Sequence, residues 1–422
     1  MEHHTINASI ITIGDELLIG QTIDTNSAFI AQELNKTGIW VHRRVAVGDV
    51  YEDIWNTLDE EAARSQIIII TGGLGPTADD ITKPLLCKYF GGRLVVNEQV
   101  LAHVKYLFEV VFRRPGPILE RNLKQAEVPD TCTVLHNKRG TAPGMWFEKD
   151  GKIFISLPGV PHEMKGLILD EVLPRLQQLP GLPFILHRSA LTAGQGESQI
   201  AELLQDFEAG LPGHIKLAYL PNYGMVKLRL TARGNDKDVL EKELEPAFAK
   251  LQEVVAKYLV TNEDEGLEAV IGKILKAKNK TMGTAESCTG GYIAHLVTSV
   301  PGSSAYYKGS VVSYANDIKE QVLGVLHQTL LEAGAVSEET VKQMVTGALQ
   351  TLHTDFVLAT SGIMGPDGGT PDKPVGTVWI AAGNARRTET LQLHLRFDRQ
   401  RNISMTATHA LNFLRKFILA NG

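Results

Sequence analysis

An apolar run that ends in a glycine-rich turn and restarts as a helical pattern recurs along this chain. That recurrence narrows the fold more than any other feature. Ala8 to Ile13 runs into Gly14-Asp15-Glu16, and Gln66 to Ile70 runs into Thr71-Gly72-Gly73-Leu74-Gly75-Pro76-Thr77. Lys152 to Leu157 runs into Pro158-Gly159-Val160-Pro161. Short continuous apolar runs of this kind suit parallel strands buried on both faces. Between them, Asn26 to Thr37 has helical spacing through Ala28, Ile30, Ala31 and Leu34 and stops at Gly38. Further helices are expected near Asp79 and from His162. Strand, turn and helix in repetition predict a doubly wound α/β sheet with its ligand site at the carboxyl ends of the strands.

The pattern changes along the chain, and 422 residues exceed one ordinary domain. We divide it at 1–173, 174–260 and 261–422. The middle stretch reads as a small α+β module, structural or dimerising by default. It has strands at Arg188 to Thr192, Ile215 to Tyr219 and Met225 to Ala232. Helices fall near Glu197 to Phe207 and from Asp236 to Tyr258. The last stretch returns to α/β. Helix Leu267 to Lys276 precedes strand Thr281 to Ala285, which leads through Glu286-Ser287-Cys288-Thr289-Gly290-Gly291 into helix Tyr292 to Ser299. Further strands are expected near Tyr307 to Tyr314, Phe356 to Ser361 and Gly376 to Ala382, with helices near Val336 to Leu352 and Ser404 to Ile418.

Composition bounds the function classes. Hydrophobic residues at 43% and charged residues at 21% fit a globular protein with sizeable cores. A net charge of -6 argues against a nonspecific nucleic-acid coat but leaves small anionic ligands open. Cys87, Cys132 and Cys288 are too scattered for a disulfide framework or a metal motif, and a reducing, cytoplasmic setting is the natural expectation. The first residues lack the basic and apolar regions of a signal peptide. No run approaches the roughly 18 apolar residues of a membrane span. His3 and His4 read as part of a solvated terminus rather than a metal site.

Polar chemistry concentrates in three loops of the last stretch. Ser287 sits at a strand-to-helix junction, where backbone donors of a helix start can hold an oxyanion or a phosphate. The second loop runs Gly302-Ser303-Ser304-Ala305-Tyr306-Tyr307 and on to Ser313-Tyr314-Ala315-Asn316-Asp317-Ile318-Lys319. The third holds Gly365, Gly368, Gly369 and Thr370. None of His295, His327, His353, His394 and His409 lies in a glycine-rich loop. Lys319 is therefore the candidate base for a serine nucleophile. Cys288 competes as nucleophile, but one place into the turn it reads as a small apolar residue. Spacing alone leaves a catalytic serine and a phosphate-binding turn both open.

These blocks resemble the CinA family (competence/damage-inducible protein A), and the last domain is similar to the PncC nicotinamide mononucleotide deamidases. The matching segments are AESCTGG (Ala285–Gly291), PGSSAYY (Pro301–Tyr307), VVSYANDIK (Val311–Lys319), GAVSEE (Gly334–Glu339), SGIMGPDGGT (Ser361–Thr370) and KPVGTVW (Lys373–Trp379). The resemblance implies hydrolysis of the nicotinamide mononucleotide carboxamide to nicotinate mononucleotide and ammonia, without a cofactor. It makes Ser287 the nucleophile and Lys319 its base, with Tyr314 and Asn316 orienting the lysine. Amides near Thr289, Gly290 and Gly291 would hold the oxyanion. Ser303, Ser304, the Gly365 to Thr370 loop and Arg399 would hold ribose or phosphate. The chain departs from the family's F-x-G-D-R pattern. Phe397 stands where glycine is usual, the later arginine is out of register at Ile403, and Met364 replaces a smaller residue.

At the N-terminal end, Gly14-Asp15-Glu16, Asp24-Thr25-Asn26, Thr71-Gly72-Gly73, Gly75, Thr77 and Asp79-Asp80 cluster at strand ends and helix starts. They supply amides for phosphate and carboxylates for a hard cation, while Asp24 and Asp79 also read as simple helix caps. ITIGDELLIGQTIDTNS (Ile11–Ser27), TGGLGPTADDIT (Thr71–Thr82), GTAPG (Gly140–Gly144) and LPGVPHEMK (Leu157–Lys165) resemble the molybdopterin-binding, MoaB/MogA-like domain of the CinA family. The resemblance implies a metal-dependent ADP-ribose pyrophosphatase. Mg, Mn or Co would sit on Asp79 and Asp80, and the nucleotide on the turns that include Pro158 and Gly159. It also implies a homodimer, with no membrane or nucleic-acid partner. Two rivals remain: a deamidase whose N-terminal domain only binds a nucleotide or pterin, and a non-catalytic competence or DNA-damage adaptor.

Overall fold

Alternation inside the isoleucine run 67–70 builds two cores at once. Ile67 and Ile69 face one side with Ala8, Ile10, Ile155 and Leu157, packed on helix residues Ile30, Leu34, Met164 and Leu167. Ile68 and Ile70 face the other with Ile11, Ile13 and Phe154, packed on Ile54, Leu58, Leu85 and Leu86. A strand whose every residue is buried needs cover on both faces, which is the doubly wound arrangement. The computed structural model describes residues 6–77, 80–113 and 115–421. Asp79, His3 and His4 lie outside them.

The chain divides into two compact units, one of residues 1–186 with 232–241 and one of 187–231 with 242–422. In the first, β1 (Asn7–Ile13), β2 (Trp40–Val47), β3 (Ile67–Thr71), β6 (Thr133–Leu135), β7 (Gly144–Lys149) and β8 (Lys152–Leu157) form one sheet in the order β2-β1-β3-β8-β7-β6. A separate pair, β4 (Leu94–Val96) and β5 (Glu127–Pro129), is antiparallel. The strands from β2 to β8 run parallel, and β7 and β6 add an antiparallel edge absent from the sequence reading. The order reverses direction between β1 and β3, the switch point where α/β sheets open a crevice.

The middle stretch has β9 (Phe184–Ala193), β10 (Ile215–Asn222), β11 (Met225–Gly234) and β12 (Leu259–Thr261), in the order β10-β11-β9-β12. The helix expected over 197–207 is broken at Leu204 into Glu197–Leu203 and Gln205–Ala209. In the C-terminal sheet, β13 (Met282–Glu286), β14 (Tyr307–Val312), β15 (Phe356–Gly362), β16 (Thr377–Gly383) and β17 (Thr388–His394) take the order β14-β13-β15-β16-β17. The first three are parallel, and β16 and β17 turn back antiparallel. β17 escaped the sequence reading because its half-exposed TETLQLH carries few apolar residues. The last helix spans Arg399–Asn421 and starts five residues before the expected Ser404, which carries Arg399 onto its first turn. The multidomain α/β expectation holds.

Candidate functional site

The C-terminal site is assembled at the carboxyl ends of β13, β14 and β15. Glu286 on β13 pairs with Val312 on β14 and with Thr360 on β15, so the segments that follow these strands emerge side by side. The β17 end, paired beside Thr377, delivers Arg399 to the same edge. Ser287 opens the first turn. Its amide donates to the Thr360 carbonyl at 2.9 Å, and its carbonyl accepts from Gly290 N at 3.1 Å. Gly290 and Gly291 hold φ of +59° and +91°, a left-handed pair that closes the turn where a side chain would be strained. Ser287 keeps 8% exposure, while Cys288 packs into the core and burial pushes its thiol up to about 12. Cys288 is thus the inert member of the pair.

The residue that holds this turn is Glu286, to which the sequence reading gave no role. Its carboxylate is fully buried. One oxygen accepts from Thr289 Oγ1 (2.8 Å), Gly291 N (3.1 Å) and Ile293 N (3.0 Å). The other accepts from Ala294 N (2.8 Å), Thr284 Oγ1 (3.2 Å) and Ser310 Oγ (3.4 Å). The helix start at Tyr292 therefore already contains its anion, favoured there by the helix dipole. This corrects the expected oxyanion donors. Gly291 N is taken by Glu286 and Gly290 N by the Ser287 carbonyl. Among the described residues, the turn amides without an acceptor are those of Cys288 and Thr289. An acid at the end of a buried strand, directly before a helix start, was the available signal.

Lys319 lies on the helix Asn316–Leu323 and is 1% exposed. Its amine donates to the carbonyls of Ser313 (2.7 Å) and Tyr314 (3.3 Å), at the end of β14 beside Ser287. Burial lowers its pKa. The orienting groups are thus main-chain carbonyls, not the Tyr314 ring or the Asn316 side chain. The Tyr314 hydroxyl instead accepts from Arg399 Nη2 at 2.9 Å, and Arg399 Nη1 donates to the Gly365 carbonyl at 2.8 Å. Arg399 so links the second and third loops. No hydrogen bond joins Ser287 Oγ to Lys319 Nζ directly.

Gly365, Gly368, Gly369 and Thr370 follow β15 on the same edge, where Thr370 N donates to the Lys373 carbonyl at 2.9 Å. Ser303 and Ser304 are not brought there. They precede β14, whose first residue Tyr307 pairs with Met282, at the opposite end of the strands. Phe397 carries the Arg401 guanidinium stacked 4.0 Å from its ring centre, and Ile403 packs against the core. The departures from the family pattern thus turn Arg401 onto Phe397, whereas Arg399 reaches the loops.

The N-terminal residues also meet at one edge, the carboxyl ends of β1, β3 and β8. Gly72 passes so close to β1 that a Cβ would stand 2.2 Å from the Ile13 carbonyl oxygen, which excludes any side chain. Gly73 and Gly75 continue this turn, and the Glu16 carboxylate lies against Gly14 where a side chain would stand. Asp15 and Asp49 exchange hydrogen bonds with each other's amides, both at 3.2 Å. Asn26 Nδ2 donates to the Gly159 carbonyl (2.7 Å) and Thr71 Oγ1 (3.3 Å), while Thr71 Oγ1 donates to the Pro158 carbonyl (3.0 Å). Asp24 caps the helix Thr25–Lys36 through Ser27 N at 2.8 Å, the plain structural use. Asp80 accepts from Gly75 N (2.7 Å), Thr77 N (2.9 Å) and Thr77 Oγ1 (2.5 Å). It braces the loop from within.

A hard divalent cation wants about six oxygen ligands. Asp79, one of the two expected ligands, lies outside the described residues; among those described no group of three candidate ligands gathers, and both Asp80 oxygens accept hydrogen bonds from within the loop. Behind the loop, Lys83 is 9% exposed, donates to the Gln125 carbonyl at 3.2 Å, and has its pKa lowered by burial to about 8. The sequence reading passed over it.

Comparison with known proteins fits this geometry. A CinA-like protein of Cytophaga hutchinsonii is 49% identical over 97% of this chain and 98% of its own length. The chain belongs to the CinA family. A second relative, the CinA-like protein of Flavobacterium psychrophilum, is 47% identical over 99% of both chains. Residues 9–178 match the probable molybdopterin binding domain, 187–261 the damage-inducible protein CinA KH domain, and 264–418 the CinA C-terminal domain. The crystal structure of competence/damage inducible protein CihA from Agrobacterium tumefaciens is 37% identical, covering 36% of this chain and 92% of that one with a TM-score of 0.35. Ser287, Lys319 and Arg399 all fall within the CinA C-terminal match. No helix among the described residues is long and apolar enough to cross a membrane.

Proposed function

We propose that the C-terminal unit hydrolyses the carboxamide of nicotinamide mononucleotide to nicotinate mononucleotide and ammonia. The observation that carries this reading is the buried Lys319 amine, fixed by two carbonyls on the strand end beside Ser287. A neutral amine donates two N–H groups and keeps one lone pair, which here is free for a hydroxyl proton. Burial favours that neutral form. Ser287 Oγ then attacks the amide carbon, and the Cys288 and Thr289 amides face the developing oxyanion. Ammonia leaves, and water resolves the acyl-enzyme. Arg399, beside the Gly365 loop, is the cation for the substrate phosphate. The test is ammonia release from nicotinamide mononucleotide by the purified chain, with nicotinate mononucleotide formed in equal amount. An inert protein sinks the assignment.

For the N-terminal unit we propose that the turns at Gly14, Thr71–Thr77 and Pro158-Gly159 bind a nucleotide diphosphate, with ADP-ribose the ligand the family resemblance implies. The close main-chain approach at Gly72 and the switch-point position support it. A divalent ion, if bound, would sit on Asp80 with Asp79 and supply a Lewis acid for the diphosphate. ADP-ribose turnover assayed with Mg, Mn or Co, and again with chelator, separates a pyrophosphatase from a binding domain. The adaptor reading has one supporting observation, the KH match with Gly210-Leu211-Pro212-Gly213 inside it. The neighbouring Asp206 and Glu208 and the net charge of -6 oppose it. Salt-dependent DNA binding by an otherwise inert protein would revive it. A cytoplasmic homodimer is part of the proposal, and light scattering checks the dimer.

A further inference from the structure

Asn402 lies on the last helix one turn behind Arg399, and its side chain is fully buried. Both of its polar atoms are used. Nδ2 donates to the Met364 carbonyl at 3.0 Å and to the Phe397 carbonyl at 2.9 Å, and Oδ1 accepts from Phe397 N at 3.2 Å. Phe397 leads into the helix, whereas Met364 leads into the third loop. The base of that loop is closed next to it, where Gly376 N donates to the Ile363 carbonyl at 2.7 Å.

Residues three apart on a helix are neighbours on its surface. Arg399 and Asn402 therefore donate side by side to successive main-chain carbonyls, Arg399 to Gly365 at 2.8 Å and Asn402 to Met364. The two contacts differ in how readily they can be given up. Arg399 is exposed, and its partners are a carbonyl and the Tyr314 hydroxyl, both neutral. A phosphate is a stronger acceptor for a guanidinium than either. Asn402 is closed off from solvent, and losing its bond would leave the Met364 carbonyl buried and unpaired.

We propose that Asn402 is a positioning residue for the substrate phosphate. It fixes the start of the Gly365–Thr370 loop, so that Arg399 can leave Gly365 for the phosphate without the loop moving. The inference rests on the amidase reading of this site and deepens it by separating two roles at the helix start. Arg399 is the exchangeable arm, and Asn402 is the fixed clamp. Asn402 touches no reacting atom, so its loss acts on binding, through a loop no longer held ready, rather than on the Ser287 step.

The experiment follows the loop and the binding separately in the full chain. Hydrogen exchange of residues 363–376, which include the bonded amides of Ile363, Thr370 and Gly376, is timed without substrate, with β13 as internal reference. Asn402→Ala is expected to speed exchange of 363–376 about tenfold while β13 keeps its rate. Arg399→Ala leaves 363–376 near the wild-type rate. Asn402→Leu, close in volume to asparagine but without donors, behaves as Asn402→Ala does, which separates the lost bonds from lost packing. In turnover, Asn402→Ala raises KM for nicotinamide mononucleotide about tenfold at nearly unchanged kcat. A general loss of folded protein would lower kcat instead. With nicotinamide riboside, which lacks the phosphate, the same substitution leaves kcat/KM unaltered. Loop exchange that depends on Asn402 in a protein that releases no ammonia keeps the clamp and removes only the substrate assignment. Wild-type exchange of 363–376 in both Asn402 variants overturns the proposal, and so does a loss confined to kcat or shared equally by the riboside.

Discussion

The two units build their sites on the same local topology and brace them in opposite ways. In each, a central parallel strand has the next strand on one side and a later one on the other, β2-β1-β3 and β14-β13-β15. In each, a buried lysine donates its amine to main-chain carbonyls and has its pKa lowered by burial. The difference lies in the carboxylate that organises the turn. Glu286 comes from the strand, is fully buried and satisfies the helix start, so the turn is locked and only Ser287 is presented. Asp80 comes from the loop, is partly exposed and ties up the Gly75 and Thr77 amides that a phosphate would use. A locked turn suits covalent chemistry, which needs one fixed geometry. A loop held by a half-buried carboxylate suits a ligand that competes for the same amides.

Breaking each brace should therefore have unequal effects. Glu286→Gln replaces one acceptor oxygen by a carboxamide NH2 facing donors already in place, leaving buried N–H or O–H groups unpaired at about 1–3 kcal/mol each. We expect kcat for ammonia release to fall about 10²-fold with a lower Tm, while ADP-ribose binding is unchanged. Near-normal kcat would show that the turn does not need its buried anion. Asp80→Asn should act the other way. It frees or distorts the Gly75–Thr77 segment and changes ADP-ribose affinity by about tenfold, roughly 1.4 kcal/mol, with ammonia release untouched. Calorimetry of the variant decides it.

Titration sharpens the lysine comparison. If Lys319 is the base, its burial-lowered pKa requires kcat/KM for deamidation to rise with pH through that pKa and level off above it. A flat profile on the acid side would remove Lys319 as the base. Lys83, near about 8 when folded against 10.5 when free, leaves the unfolded chain holding more protons between those values. Stability should consequently rise with pH across that window, and Lys83→Met should abolish the rise. Urea melts at several pH values measure this smallest effect.

The strand–turn–helix grammar was legible because buried parallel strands leave largely apolar runs, unbroken at Ile67–Ile70 and interrupted only by Ser156 at Ile153–Leu157. The half-exposed β17 and the antiparallel edge of β6 and β7 were not, since alternating or short segments carry weak signals. At the site, Ser287, Lys319 and Arg399 could be named from their loops. Ser303 and Ser304 were misplaced because polarity in a sequence does not say which end of a strand a loop serves. Glu286 and Lys83 were passed over for a related reason. Their roles depend on burial and on partners in distant strands, and neither is visible at the level of spacing.

The central claim is that the locked turn presents a serine activated by a buried lysine. Ammonia release from nicotinamide mononucleotide by Ser287→Ala and Lys319→Ala, beside the wild type, tests it most directly. The account predicts that both variants stay folded and lose at least about 10³-fold in kcat, with no further loss when they are combined. Wild-type turnover by Ser287→Ala would contradict it and move the chemistry elsewhere in the chain.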